Sequence, residues 1–222
     1  VKVRFDYSRD GVLRSIEESL TRLNLDRVDV ALIHDPDDHY EEAMDTAFPT
    51  LADLRSQGVI GAIGSGMNQW EMLADFARNA DFDCFLLAGR YTLLDYSALS
   101  EFLPICEENS ISVILGGPYN SGILASDFGK NVTYFYETAP QYVIEKAKAI
   151  KSICDDFNIP LKAAALQFGL LHPAVAATIP GARHPTEVSE NMEMASLNIP
   201  SELWKELKSK SLLPEEAPTD DR

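Results

Sequence analysis

Five short apolar runs punctuate this chain, and each is followed by residues with helical periodicity. The runs span 28–33, 59–63, 84–88, 111–115 and 175–179. Runs of this length, bounded by turn residues, read as buried strands. Their alternation with helices predicts parallel strands joined by right-handed crossovers. Asp10 is placed to cap a first helix with Val12, Leu13, Ile16, Leu20 and Leu23 inward. A second helix is expected from Glu41 to Gln57, ending at Gly58, and others begin near Trp70, Ser97, 141, Pro160, Pro185 and Ser201. A long insertion, 118–138, follows the fourth strand.

The first run ends at His34, and Asp35, Pro36, Asp37 and Asp38 follow. In a barrel of parallel strands, the strand's C-terminal end faces the active-site mouth. Four of the strands leave through glycine: Gly64 and Gly66, Gly89, Gly116 and Gly117, and Gly181. Glycine permits tight turns, and it also lets backbone approach a ligand closely. A TIM barrel has eight strands in ~250 residues. Five strands in 222 residues leave three unaccounted for, so an open doubly wound sheet stands beside the barrel as an alternative.

Composition narrows the partners. A formal charge of −16 argues against nucleic acid and anionic membranes, which need clustered Lys and Arg. No apolar stretch approaches the roughly 18 residues of a membrane helix. The first ten residues carry five charges, unlike a secretory leader. Cys84, Cys106 and Cys154 are odd in number and widely spaced, which predicts buried free thiols in a reducing, cytoplasmic compartment. Asp35, Asp37 and Asp38 read as a solvated loop rather than metal ligands. Trp70, Trp204 and Phe168 read as core.

Two segments carry a family resemblance. The first runs from Ser15-Ile16-Glu17-Glu18-Ser19-Leu20 through Leu25-Asp26-Arg27-Val28-Asp29-Val30 to Leu32-Ile33-His34. The second is Ile179-Pro180-Gly181-Ala182-Arg183-His184-Pro185, with Glu187, Glu190 and Asn191 beyond it. With Gly61-Ala62-Ile63-Gly64, they resemble the aldo-keto reductases, in order, over nearly the whole chain. Arg90-Tyr91-Thr92-Leu93-Leu94 and the stretch from Gly116 to Leu124 resemble one branch, the D-threo-aldose 1-dehydrogenases with the L-fucose and pyridoxal 4-dehydrogenases.

The resemblance implies a (β/α)8 TIM barrel of aldo-keto reductase type, represented here by about its last five β/α units. Residues 1–213 would form that partial domain, and 214–222 a disordered tail. It implies an NAD(P)-dependent oxidoreductase acting on a sugar hemiacetal or a related alcohol or aldehyde. His34 matches the histidine of a catalytic Asp-Tyr-Lys-His tetrad. The other three members lie in the family's first three units, which have no counterpart in this sequence, so weak or absent activity is expected of the chain itself.

The resemblance also places the cofactor. Asn68, beside Gly66 and Met67, matches an asparagine that contacts the nicotinamide carboxamide; as a sequence feature it also suits a helix N-cap. Many members carry a glutamine where this chain has Ala88. Gly117, Tyr119, Asn120, Ser121 and Gly122 fall where a ring and pyrophosphate donors are expected, and Asn-Ser-Gly is equally a turn string. Gly181 and Arg183 precede a helix N-terminus suited to an anion. Glu190 and Asn191 match an adenine-contacting pair. Gly181 and Glu187 stand where NADP-specific members carry a lysine and an arginine, which leans the reading towards NAD. No metal is implied. Alternatives are a non-catalytic dinucleotide-sensing or partner-binding barrel fragment, with a homodimer closing the free sheet edges, and another TIM-barrel enzyme with a sugar-phosphate site.

Overall fold

A computed structural model describes residues 5–129 and 132–219. Helix α1 (Arg9–Leu23) leads into β1 (Val28–His34). Next come α2 (Tyr40–Glu42), a π-helical turn (Ala43–Ala47) and α3 (Phe48–Ser56). Pro49 has no N–H to give the helix ladder, and the coil widens just ahead of it. The chain continues through β2 (Ile60–Met67), α4 (Trp70–Asn79), β3 (Cys84–Ala88), α5 (Phe102–Glu108) and β4 (Ser112–Gly116). The insertion then holds a small antiparallel hairpin, β5 (Thr133–Tyr134) and β6 (Glu137–Thr138). After it come α6 (Gln141–Asp156), α7 (Leu161–Phe168), β7 (Val175–Ile179), α8 (Pro185–Ser196) and α9 (Ser201–Ser209).

The main sheet has five parallel strands in the order β1-β2-β3-β4-β7. Each strand neighbours the next parallel strand of the chain, with no reversal of order. A doubly wound sheet requires such a reversal, so that alternative is excluded; this is the sequential order of a barrel wall. All five C-terminal ends consequently share one rim.

The two faces of the sheet differ. Ala31, Ile33, Ile63, Met67, Phe85, Leu87, Val113, Leu115 and Val175 are buried. They pack with helix residues such as Leu51, Leu73, Phe76, Phe102, Ile150 and Phe168. Leu32, Ala62, Leu86, Ala88, Ile114 and Thr178, at the alternate positions, are only half-buried, and Val30 is exposed. The core therefore lies between sheet and helices. Asp83 ties the layers together: its carboxylate accepts from Ile63 N at 2.7 Å and from Arg55 at 2.6 Å. The three cysteines are buried free thiols; Phe168 and Trp204 lie in the core, and Trp70 packs against it. Among the described residues, no helix is long and apolar enough to cross a membrane.

Several boundaries depart from the sequence reading. Ser8, not Asp10, caps α1, its hydroxyl accepting from Gly11 N at 3.2 Å. Strand β2 runs on through Gly64 to Met67 because the small residues let it pair with both β1 and β3. No helix begins at Ser97: the Asp95 carboxylate accepts from both its N–H and its hydroxyl, making a local turn, and α5 starts at Phe102. The last helix begins at Ser201 as expected, with Pro200 at its cap position. His172 is buried, with Nδ1 accepting from Ala174 N at 3.1 Å. The tail expected to be disordered over 214–222 is packed as far as it is described. Leu213, Ala217 and Thr219 are buried, and Ala217 N bonds to Pro214 O. Small side chains fit where the charged composition predicted solvent; residues 220–222 lie outside the described residues.

Gly64 offers a test of this packing. A Cβ there would sit 2.6 Å from the Cys84 carbonyl oxygen, which the sheet holds fixed, whereas at Gly66 the nearest atom is 3.4 Å away. Gly64→Ala is expected to destabilise the fold by about 1–3 kcal/mol, and Gly66→Ala to stay within about 1 kcal/mol of the unaltered chain. Urea denaturation of both variants checks the contrast.

Candidate functional site

Two regions of the rim carry the residues singled out from the sequence. The first is the end of β1. His34 pairs with Gly66 across the sheet, and Asp35, with φ 43°, turns the chain away. The His34 side chain is 80% exposed, with Nδ1 3.5 Å from an Asp35 carboxylate oxygen. The Tyr7 hydroxyl donates to the His34 carbonyl at 2.9 Å and to the Asp35 carbonyl at 3.1 Å. Burial, with Asp35, Asp37 and Glu42 nearby, pushes the Tyr7 phenol up to about 12. Tyr7 therefore stays protonated and clamps the backbone that presents His34. The sequence did not single it out.

The second region lies beyond β2 and β3, where the loop after β4 faces the loop between β7 and α8. A cleft of about 840 Å³ there is lined by Gly117, Tyr119, Ser121, Gly122, Gly181, Arg183, Glu187, Glu190 and Asn191, together with Pro118, Thr133, Tyr136 and Lys162. Nine residues chosen from sequence thus meet in one place. Asn68, Asn120, Gly117 and Ser121 line an adjoining recess. Met67 is buried at the end of β2 and lines neither. Asn68 is exposed and does not cap α4; Gln69 holds that position, and the Asn68 carbonyl accepts from Arg90 Nε at 3.3 Å.

The cleft walls are internally bonded. Asn120, Ser121 and Gly122 have φ of 45°, 59° and 96°, a left-handed run unusual for residues other than glycine. The Asn120 and Gly122 N–H groups donate to Gly117 O and Tyr119 O, each at 3.0 Å. The turn uses these two donors itself, and it is the turn that the string Asn-Ser-Gly also suggested. Hairpin β5–β6 is pinned to the same turn. Tyr136 N donates to the Ser121 hydroxyl at 3.1 Å, and the Thr133 hydroxyl donates to Ser121 O at 3.1 Å.

Across the cleft, the buried Tyr119 hydroxyl donates to Asn191 Oδ1 at 2.8 Å. Burial, and Glu190 nearby, raise the Tyr119 pKa. Lys162 pairs with Glu190 at 2.7 Å and lies 5.6 Å from the centre of the Tyr119 ring. Lys162 escaped the sequence reading because it lies on α7, in a stretch that reads as ordinary amphipathic helix. Glu187, in the first turn of α8, accepts from Arg183 N at 2.6 Å. The N–H groups of Arg183 and His184 hold its carboxyl below the ordinary range. A carboxylate thus already sits at the helix N-terminus where an anion was expected, and Arg183 stands beside it in the cleft lining.

The profile of the "Aldo/keto reductase family" matches residues 1–212. The chain is 37% identical to pyridoxal 4-dehydrogenase of Microbacterium luteolum over 219 residues, covering 94% of this chain and 64% of that protein. It is 39% identical to D-threo-aldose 1-dehydrogenase of a Pseudomonas species over 212 residues, again covering 64% of the relative. The chain therefore spans about 64% of the length of these curated relatives. Among solved structures, glycerol dehydrogenase of Gluconobacter oxydans superposes with a TM-score of 0.78 at 21% identity, covering 100% of this chain and 69% of that one. The holo form of an aldo-keto reductase of Bacillus halodurans gives 0.77, also at 21% identity, with coverages of 92% and 68%. The five-stranded wall is accordingly an arc of the family's (β/α)8 barrel.

The bond from Glu187 to the Arg183–His184 loop has a definite pH signature. A lowered folded-state pKa stabilises the fold above the ordinary glutamate range, and that contribution is lost as pH falls through the lowered value. Glu187→Gln is therefore expected to lower the melting temperature at pH 7. Thermal melts should show the gap to the unaltered chain closing as the pH is taken below about 4.

Proposed function

The chain belongs to the aldo/keto reductase family, and from that premise we propose that it carries the dinucleotide-binding part of an NAD(P)-dependent oxidoreductase. The substrate class is a sugar hemiacetal of the L-fucose or D-threo-aldose type, or a related alcohol or aldehyde. One observation carries the reading: residues from two loops distant in sequence line a single cleft of about 840 Å³ on the rim. Its donor set suits a dinucleotide. Arg183 and Lys162 offer positive charge to phosphates, Ser121 offers a hydroxyl, and the Tyr119–Asn191 pair makes a fixed wall.

A bound nicotinamide dinucleotide would supply the hydride acceptor or donor. The chain's own residues bind and orient. Gly117, Gly122 and Gly181 keep the cleft open to a close backbone approach, and Glu190 and Asn191 close its far end. Holding the two reacting carbons together is the main contribution such a cleft can make. His34, on the rim, orients the substrate oxygen and stabilises charge developing on it. Its neighbours Asp35 and Asp37 keep the region acidic, which favours neutral substrates over anionic ones. Three buried free thiols fit a reducing, cytoplasmic setting.

A second reading is favoured by the exposure of His34. It stands on an edge strand, with the Asp35 carboxylate as its ion-pair partner. On that reading the chain is a non-catalytic dinucleotide-sensing or partner-binding module, and a homodimer covers the free edges of β1 and β7. Oxidation of L-fucose by the chain at an ordinary enzyme rate would exclude it.

Cofactor choice supplies the sharper test. Glu187 repels a 2′-phosphate and accepts from a free ribose hydroxyl, so NAD is expected to bind more tightly than NADP. Glu187→Arg should move the ratio at least tenfold towards NADP, as expected when one like-charge contact becomes an opposite one near the surface. Fluorescence titration with both nucleotides measures it. An unchanged ratio would remove the ribose argument, and absence of binding to either nucleotide would remove the cofactor reading.

A further inference from the structure

The recess beside the cleft contains an acceptor with nothing to accept. It holds about 40 Å³ and is lined by Asn68, Ala88, Gly89, Asn120 and Phe135, among others. Asn120 is 4% exposed. Its Nδ2 donates to the Gly89 carbonyl at 3.3 Å, while its Oδ1 is buried with no hydrogen-bond partner among the described residues. Buried polar atoms without partners are rare enough to require a reason. Turning the amide over would set Oδ1 against the Gly89 carbonyl, acceptor against acceptor, so chemistry fixes its orientation.

The surroundings define what would satisfy this oxygen. The recess and the dinucleotide cleft share Gly117, Ser121 and Tyr136 in their walls, so they adjoin one another. Its volume suits one small polar group; a water's share of liquid is about 30 Å³. Among the described residues, the lining of the recess holds no charged side chain, and Arg90, stacked 4.1 Å from the centre of the lining Phe135 ring, is committed to Asp95 at 3.1 Å. The side chain of Ala88 offers no polar atom. The site therefore calls for an uncharged N–H or O–H donor rather than an anion.

We propose that this recess takes the primary carboxamide of a nicotinamide dinucleotide, with the amide N–H donating to Asn120 Oδ1. This rests on the cofactor reading above and assigns Asn120 to the nicotinamide end rather than to the pyrophosphate. The Phe135 ring covers Gly89 so closely that a Cβ there would lie 3.2 Å from it. That ring forms one wall of the recess, and a side-chain rotation would widen it. Asparagine suits the position because it tolerates the left-handed backbone at φ 45°.

The test uses NAD and its 3-acetylpyridine analogue, in which a methyl group replaces the amide NH2 and removes the donor alone. Calorimetric titration of the unaltered chain should show NAD binding about fivefold more tightly, the worth of one ordinary hydrogen bond. Asn120→Gly keeps the backbone conformation and deletes the acceptor, so the ratio should fall to about one through weaker NAD binding. Equal affinity of the unaltered chain for both nucleotides overturns the proposal, as does a preference that survives in Asn120→Gly. The comparison in the unaltered chain decides the matter even where the variant does not fold. Failure of both nucleotides to bind would instead overturn the cofactor reading, and this assignment with it.

Discussion

Parallel pairing in chain order is the constraint on which the rest of the structure depends. Each of β1, β2, β3, β4 and β7 bonds to the next, and every strand points the same way. The C-terminal ends therefore gather on one rim, whatever the loops contain. His34, Asn68, Gly117 and Gly181 are distant in sequence and share that rim only for this reason. The register makes the consequence concrete: His34 lies opposite Gly66, and Gly116 opposite both Ala88 and Ile179. Small residues at the strand ends leave the rim low enough for a ligand to lie across it.

The chemistry on the rim divides into two parts with different character. Around the cleft, polar side chains are matched to one another: Tyr119 to Asn191, Lys162 to Glu190, Glu187 to the Arg183 N–H. Such matching fixes geometry before any ligand arrives, which limits the ordering cost of binding. At β1 the side chain of His34 stands in solvent while Tyr7 holds its backbone. An exposed imidazole with one carboxylate beside it is a weaker device than an enclosed one, because water screens both.

Much of this was legible in the sequence, for identifiable reasons. Apolar runs of five or six residues marked all five parallel strands, since buried strands leave little choice of side chain. The order of motifs marked the family, and the cleft residues followed from it. Other features were invisible because they depend on contacts distant in sequence. Lys162 looks like any lysine on a helix until α7 packs beside α8. The tail at 214–219 reads as solvent-loving, yet Ala217 and Thr219 are small enough to fill gaps. Hairpin β5–β6 has Phe135 and Tyr136 at its turn, both with positive φ, where glycine or asparagine would have signalled the reversal. Asn120 read as a turn residue, and it is one; only the three-dimensional surroundings show that its oxygen lacks a partner.

The unequal faces of the sheet also govern how stability responds to temperature. Apolar surface that stays wet in the folded chain, such as Val30 and the half-covered Leu32, Leu86 and Ile114, is hydrated before and after unfolding. It adds nothing to the heat capacity of unfolding, which counts only surface newly exposed. An arc closed on its convex side alone therefore has a flatter stability curve than a sheet of equal length sealed on both, and it loses less of its hydrophobic support on cooling. The same open face makes heat capacity a sensitive gauge of anything that later comes to cover it.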